Sequence, residues 1–378
     1  MANVTGKIVV TGGAGFIGSN LIHALLGDGW DVFVLDAIIK QVHPDGKWEK
    51  PRKVSFFHGD VRDHGIVGKC LDGADYIVHL AAETGVGQSS YEIARHVSVN
   101  ELGTAVLLEE AAKNLKYIKG VILASSRAVY GEGRYICIKC GVVYPEGRGA
   151  NDLSQGKWEP RCPKCGERVK PTASIEDQPL KPASIYGITK HNQEQLVAQF
   201  TKGFDVPSVA LRFQNVYGPG QSLNNPYTGI LSIFCTRIMA KNPVLIYEDG
   251  QEKRDFVYIE DVVESMRLVL KKGFSGFDVY NVGMGSGTPV LEVANILAEE
   301  FKTDVPVQVV GKYRIGDIRH AWGDIRKIQE KFGYKPKISV REGLKRFIAW
   351  VKEQPKPEDR YEVMEKEMVE RGLLGKAP

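Results

Sequence analysis

Apolar and polar positions alternate along the first third of the chain in a regular rhythm. Short runs rich in β-branched residues, at Lys7–Thr11, Asp31–Asp36, Val54–His58, 76–80 and 120–125, are separated by stretches with apolar residues every three or four positions, such as 16–26 and 100–114. The short runs fit strands buried on both faces, and the longer stretches fit helices that bury one stripe. Strand and helix in turn make βαβ units, so a parallel sheet flanked by helices is expected. The rhythm breaks at 132–170, which is rich in Gly, Pro, Cys and charge, and helical spacing resumes over 186–200. Beyond Asn215, proline and glycine clusters separate helical stretches, as in a lobe assembled from several segments. From Pro355 onward the chain is polar and charged, which reads as a surface helix and tail.

Composition narrows the function classes. The 378 residues are 43% hydrophobic and 25% charged, an ordinary globular balance with material for a sizeable core. A net charge of +4 is small for this length, and basic and acidic residues are interleaved, so a nucleic-acid partner is not expected. The chain enters an apolar strand within a few residues and carries no long apolar run, so neither a membrane partner nor secretion is expected, and a cytoplasmic location is.

The first strand runs directly into Thr11-Gly12-Gly13-Ala14-Gly15-Phe16-Ile17-Gly18, which opens a helix. Gly12, Gly15 and Gly18 let the backbone turn tightly and approach a diphosphate, bound by free N–H groups at the positive end of the helix. Asp36 closes the second strand eighteen residues after Gly18, where a carboxylate accepts hydrogen bonds from a ribose diol and repels a 2′-phosphate. NAD is therefore expected as cofactor rather than NADP. In Tyr186-Gly187-Ile188-Thr189-Lys190 a phenol and an ammonium lie one helical turn apart on one face. The ammonium is expected to lower the phenol pKa, suiting Tyr186 to exchange a proton with a substrate hydroxyl. Ser126 would add a hydroxyl at the C-terminal end of a parallel strand, the edge where open sheets hold ligands.

With these motifs in this order, the chain from Lys7 to about Trp350 resembles the extended short-chain dehydrogenases that include nucleotide-sugar 4-epimerases and 4,6-dehydratases. The resemblance implies a Rossmann-type doubly wound sheet with a smaller C-terminal substrate lobe. The segments would be an NAD-binding core at 1–131, an insertion at 132–170, a return to the core with the catalytic helix at 171–214, mainly substrate lobe at 215–354, and a tail at 355–378. It implies catalysis by Ser126, four residues before the tyrosine of Val129-Tyr130-Gly131, with Tyr186 and Lys190, the last two also touching the cofactor. Phe16 and Ile17 join the glycines at the cofactor, Asp60 and Val61 match the adenine contacts, and Leu80, Ala81 and Ala82 match the strip beside the nicotinamide. Asn100 matches a structural asparagine. For a nucleotide-diphosphate sugar the resemblance implies Glu83 and Thr84 on the sugar side together with Ser126, and Asn215, Arg254 and Arg319 at the diphosphate. A homodimer through a helical interface is also implied.

Dehydratases of this family carry an Asp-Glu pair after the strand-end hydroxyl residue, where this chain has Arg127-Ala128. A 4-epimerase working by transient oxidation at C4 is therefore expected, with a 4-ketosugar reductase as an alternative. The runs 82–89 and 214–223, together with the insertion, resemble sequences grouped as dTDP-L-rhamnose 4-epimerases, which suggests a dTDP-6-deoxyhexose, with UDP-glucose 4-epimerase as rival. A non-catalytic NAD-binding scaffold would often lack the Tyr and Lys that are present here.

Four of the six cysteines form two Cys-x-x-Cys pairs, Cys137/Cys140 and Cys162/Cys165, twenty-one residues apart and each followed by glycine. Two such knuckles make the tetrahedral thiolate cage of a zinc ribbon, which would be structural because no coordination position is left open. Disulfides are the alternative. The insertion leaves the chain between the Ser126 strand and the Tyr186 helix, so it could lie over the sugar pocket or at a subunit contact. Cys70 and Cys235 stand alone and read as small packed residues.

Overall fold

The central sheet is built from the runs that the hydrophobic pattern marks. The computed structural model describes residues 6–225, 227, 229–355 and 357–378. Strands β1 (Lys7–Thr11), β2 (Asp31–Asp36), β3 (Val54–His58), β4 (Tyr76–His79) and β5 (Gly120–Ser126) are joined by Ser208–Phe213 and Phe277–Val282. They form a seven-stranded sheet in the order Phe277–Val282, Ser208–Phe213, β5, β4, β1, β2, β3, with every pairing parallel. Winding reverses between β1 and β4, and the crevice above their C-terminal ends is where doubly wound sheets bind ligands.

Successive residues of β1 serve opposite faces. Ile8 and Val10 belong to the core cluster that includes Leu21, Ile22 and Leu25 of the first helix, whereas Val9 belongs to the one with Val106, Leu107, Val197 and Phe200. Burial on both faces explains the apolar runs 121–124 of β5 and 209–211 of Ser208–Phe213, where Arg212 is buried only by pairing with Glu194 at 2.8 Å. The expected helix over 100–114 begins instead with a π-helical segment, Ser98–Leu102, before α-helix Gly103–Ala112. Asn100 in that segment accepts from the Glu83 N–H at 2.7 Å and donates to Glu83 O at 3.1 Å and Thr189 Oγ1 at 2.9 Å. It thereby ties the β4 loop to helix Ile185–Phe204.

The lobe contains helices Ile230–Met239, Val290–Phe301 and Val340–Glu353. The insertion forms an antiparallel sheet of Gly141–Val143, Arg134–Cys137 and Val169–Thr172 around a small core of Tyr135, Cys137, Val143, Cys162 and Val169. The C-terminal segment is more than a surface tail: helix Tyr361–Glu370 buries Tyr361, Met364 and Met368. Strand Leu374–Lys376 then pairs antiparallel with Lys312–Arg314. No helix among the described residues is long and apolar enough to cross a membrane.

Candidate active site

One cavity of ≈ 1010 Å³ opens along the C-terminal ends of the strands. That volume lies at the top of the roughly 300–1,000 Å³ typical of ligand pockets, and the cavity runs from the glycine cradle to Thr84 and Arg314. Every residue expected at the cofactor or the substrate lines it except Arg319.

At the β1 end the glycines have separate reasons to be glycine. Gly12 sits at φ +69°, and a Cβ there would lie 2.6 Å from the Ala81 nitrogen. A Cβ on Gly18 would lie 2.5 Å from Gly12 O, so this glycine sets the close approach of helix to strand. Helix Phe16–Gly27 has no side-chain cap and no acidic residue in its first turn, which leaves its N–H groups and positive end to an anion. Asp36 accepts from Ala14 N–H at 3.0 Å and Ile38 N–H at 2.9 Å, holding the turn against the end of β2 with carboxylate lone pairs still facing the cavity. These residues fit a bound dinucleotide. Asp60 pairs with Arg62 at 2.6 Å on the same side.

Helix Ile185–Phe204 starts where the Ser184 hydroxyl accepts from Gly187 N–H at 3.0 Å. That start brings half-buried Tyr186 beside the Ser126 hydroxyl at the end of β5. The electrostatics differ from the sequence expectation. Burial raises the Tyr186 pKa, opposed by the Ser126 hydrogen bond and the Arg127 cation. The Lys190 ammonium donates instead to Ala124 O at 2.9 Å, and burial pulls its own pKa down to about 7, with Glu194 opposing. Arg127 lines the cavity next to Tyr186 with its pKa lowered to about 10 by burial and by Arg254. Its place after Ser126, read from the sequence, marks only the absence of a dehydratase acid.

Of the three residues expected at the diphosphate, Asn215 and Arg254 line the cavity and Arg319 does not. Asn215 Oδ1 is buried without a partner among the described residues. Arg254 is braced by the carbonyls of Lys253, Ile318 and Arg319 at 2.7 to 3.0 Å, with Asp317 3.6 Å away. Arg319 is 1% exposed and faces away from the cavity, paired with Glu159 at 2.8 Å, Glu248 at 3.0 Å and Asp249 at 2.7 Å. Gly316, at φ +81°, lies in the turn between Arg314 and Arg319. Arg314 does line the cavity, with its guanidinium 5.2 Å from the Tyr247 ring centre and its Nε buried without a partner. Burial alone would raise the Asp317 pKa, yet Arg254, Arg314, Arg148 and Arg127 together hold it below the usual value. Arg127, Arg254 and Arg314 line the cavity here and offer guanidinium groups to an anionic ligand. On the sugar side Thr84 faces the cavity, while the Glu83 carboxylate is engaged by Arg95 at 2.8 Å.

Sequence reading also missed a second source of wall residues. Tyr361, Met364 and Met368 from the C-terminal helix line the cavity. Their spacing of three and four was the available signal.

In the insertion, the sulfurs of Cys137, Cys140, Cys162 and Cys165 all lie within 4.8 Å of one another, with Cys137 and Cys165 3.6 Å apart. None of the six cysteines is in a disulfide. Gly141 and Gly166 take φ of +70° and +74°, the left-handed turns that the knuckles require. The module does not roof the cavity. It buttresses the wall from outside, through Arg148 to Glu248 at 2.6 Å and to Asp317 O at 2.9 Å, and through Glu159 to Arg319.

A doubly wound parallel sheet, a glycine cradle at its reversal point and a Tyr–Lys pair across the crevice define an NAD-dependent enzyme. The family model described as "NAD dependent epimerase/dehydratase family" matches residues 8–146 and 162–283. The chain belongs to that family. It is 36% identical to dTDP-L-rhamnose 4-epimerase of Burkholderia thailandensis over 354 residues, covering 92% of this chain and 95% of that protein. The crystal structure of UDP-glucose 4-epimerase from Thermotoga maritima with UDP-glucose superposes with a TM-score of 0.75 at 31% identity, covering 92% of this chain and 98% of the other. UDP-glucuronic acid 4-epimerase from Bacillus cereus, in complex with UDP-glucuronic acid and NAD, gives 0.75 at 27% identity, covering 92% and 99%.

Proposed function

We propose that this chain is an NAD-dependent nucleotide-sugar 4-epimerase acting on a dTDP-6-deoxyhexose. The observation that carries the reading is Tyr186 beside Ser126 in a cavity continuous with the dinucleotide cradle, with Arg127 where elimination would need an acid. NAD, when bound, supplies the acceptor and donor of the C4 hydride. Tyr186, as the phenolate that the Ser126 hydrogen bond and the Arg127 cation favour against burial, takes the proton from the C4 hydroxyl and returns it, while Ser126 holds the same oxygen through its hydroxyl. Lys190, fixed on Ala124 O, presents its remaining N–H groups to the cofactor side. Arg314 and Arg254 hold the diphosphate, leaving the sugar free to turn between two faces. The similarity to dTDP-L-rhamnose 4-epimerase favours the deoxyhexose over UDP-glucose.

Proton NMR of the C4 signal with NAD and a panel of dTDP- and UDP-sugars tests this. Inversion at C4 without net cofactor reduction is expected. A 4-keto or dehydrated product, or turnover only with added reduced cofactor, contradicts it.

The cysteine cluster is proposed to hold a structural zinc. Tetrahedral Zn–S bonds of about 2.3 Å set sulfurs about 3.8 Å apart, compatible with the cluster observed. Elemental analysis should find about one zinc per chain, falling toward zero in Cys140→Ser. A homodimer is proposed as well. Val97 and Leu102 on the neighbouring helical run and Ile188 on the catalytic helix itself leave 39%, 52% and 40% of their surface exposed, and light scattering reads the mass.

A further inference from the structure

The wall supplied by the C-terminal helix has a chemical character that bears on the substrate. Tyr361, Met364 and Met368 occupy one face of Tyr361–Glu370, are at most 5% exposed, and all line the cavity. The helix is held from several directions. Tyr227 donates to Glu367, the hydroxyls of Tyr361 and Tyr247 are 2.9 Å apart, and Lys312 grips Glu365 at 2.5 Å. The Arg371 guanidinium lies 4.0 Å from the centre of the Tyr91 ring. The strand that follows is hydrogen-bonded to Lys312–Arg314, the segment that carries the diphosphate arginine. The helix is thus a built part of the wall. Met368 reaches the sugar-side loop so closely that a Cβ on Gly87 would lie 2.7 Å from its methyl.

A thioether offers no donor and only a weak acceptor. Among the described residues, no acidic side chain of this helix lines the cavity, and Glu365 and Glu367 are committed to Lys312 and Tyr227. A substrate hydroxyl placed against Met364 and Met368 would lose its water without replacement, whereas a methyl would gain contacts with polarizable sulfur. We infer that Met364 and Met368 form a methyl-selecting wall, so that the chain prefers nucleotide sugars that present a methyl group to it. That methyl comes either from C5 of thymine or from C6 of a 6-deoxyhexose. The inference rests on the reading that a nucleotide sugar binds here.

The test compares dTDP- and UDP-linked forms of one 6-deoxyhexose and its 6-hydroxy counterpart, by equilibrium binding and by kcat/KM. The wild-type protein, Met364→Gln/Met368→Gln and Met364→Leu/Met368→Leu are each saturated with NAD. The wild type should prefer the methyl-bearing partner by on the order of tenfold or more, as one methyl in an apolar site provides. The leucine pair should keep that preference and the glutamine pair should lose most of it. A base-dependent ratio assigns the methyl to thymine, and a sugar-dependent ratio assigns it to C6. Absence of preference in the wild type, or its persistence in the glutamine pair, overturns the inference. If the glutamine pair fails to show NAD-stabilised melting, Met364→Thr and Met368→Thr singly take its place under the same criterion. Binding preference without turnover would leave the wall intact and remove the epimerase reading instead.

Discussion

Two arginines five residues apart are assigned opposite duties, and exchanging each for methionine separates them. Arg319 is 1% exposed and shares its guanidinium among Glu159, Glu248 and Asp249. Breaking a buried pair costs about 3–5 kcal/mol, because the partner charge stays behind in a poor solvent. Here only Glu248, at 3% exposure, is left in that position, and it keeps Arg148 at 2.6 Å. Glu159 and Asp249 are 51% and 39% exposed and rehydrate, so their share is discounted. The lower end, about 3 kcal/mol, is therefore expected for Arg319→Met. With an unfolding entropy of about 2.1 cal/mol/K per residue over 378 residues, that corresponds to a fall in Tm of roughly 4 °C if the chain unfolds as one unit. Arg314 has no ion pair among the described residues, so Arg314→Met should leave Tm nearly unchanged. It should raise the KM for the nucleotide sugar by roughly 10- to 100-fold, the worth of a charge-assisted hydrogen bond. Calorimetry and initial-rate kinetics on both variants settle the matter. A tenfold KM increase in Arg319→Met with unchanged Tm would refute the assignment.

Other expectations concern the reacting end. Tyr186→Phe should lower kcat by roughly 10²- to 10⁴-fold while NAD still binds; a loss below tenfold would remove Tyr186 from proton transfer. Asp36→Asn should narrow the ratio of NAD to NADP affinity by about tenfold, since the charge that repels a 2′-phosphate is gone, and an unchanged ratio in fluorescence titrations counts against that role. Burial lowers the Lys190 pKa from 10.5 to about 7, so between those values the folded protein holds fewer protons at this site than the unfolded chain. Stability contributed by this group is therefore gained as pH rises through that window, and the slope should flatten in Lys190→Met. Melting temperatures of the cofactor-free protein measured from about pH 7 to 10 check the difference, and parallel curves would contradict it.

What could be read from the sequence was local. The bounds of β1, β2 and β3 match the hydrophobic runs to the residue; burial on both faces leaves β1 little choice of residue type, whereas β3, at the sheet edge, keeps Ser55 and His58 exposed. The glycine cradle, the Tyr186–Lys190 pair and the cysteine knuckles were visible for a related reason, since each places its chemistry within one turn of chain. What escaped depends on partners remote in sequence. Nothing within the run from Arg314 to Arg319 tells which guanidinium faces the cavity; that is decided by Glu159, Glu248 and Asp249, up to 160 residues away. The same holds for Lys190, whose proximity to Tyr186 suggested an electrostatic partner. The carbonyl of Ala124 on β5 draws the ammonium aside and leaves Ser126 and Arg127 nearest the phenol.

These corrections change how the insertion relates to the chemistry. Arg148 and Glu159, both from the cysteine module, hold the backbone of Asp317 and the side chain of Arg319, at the far end of the turn that begins at Arg314. From the other side, Leu374–Lys376 pairs with Lys312–Arg314. The arginine proposed for the diphosphate is thus carried on a short segment clamped at one end by the module and at the other by the C-terminal strand. An unpaired guanidinium on an unsupported loop would lose side-chain and backbone entropy on meeting its ligand. Fixing the segment in advance shifts that cost to folding, which gives the module a stake in substrate affinity although none of its residues lines the cavity.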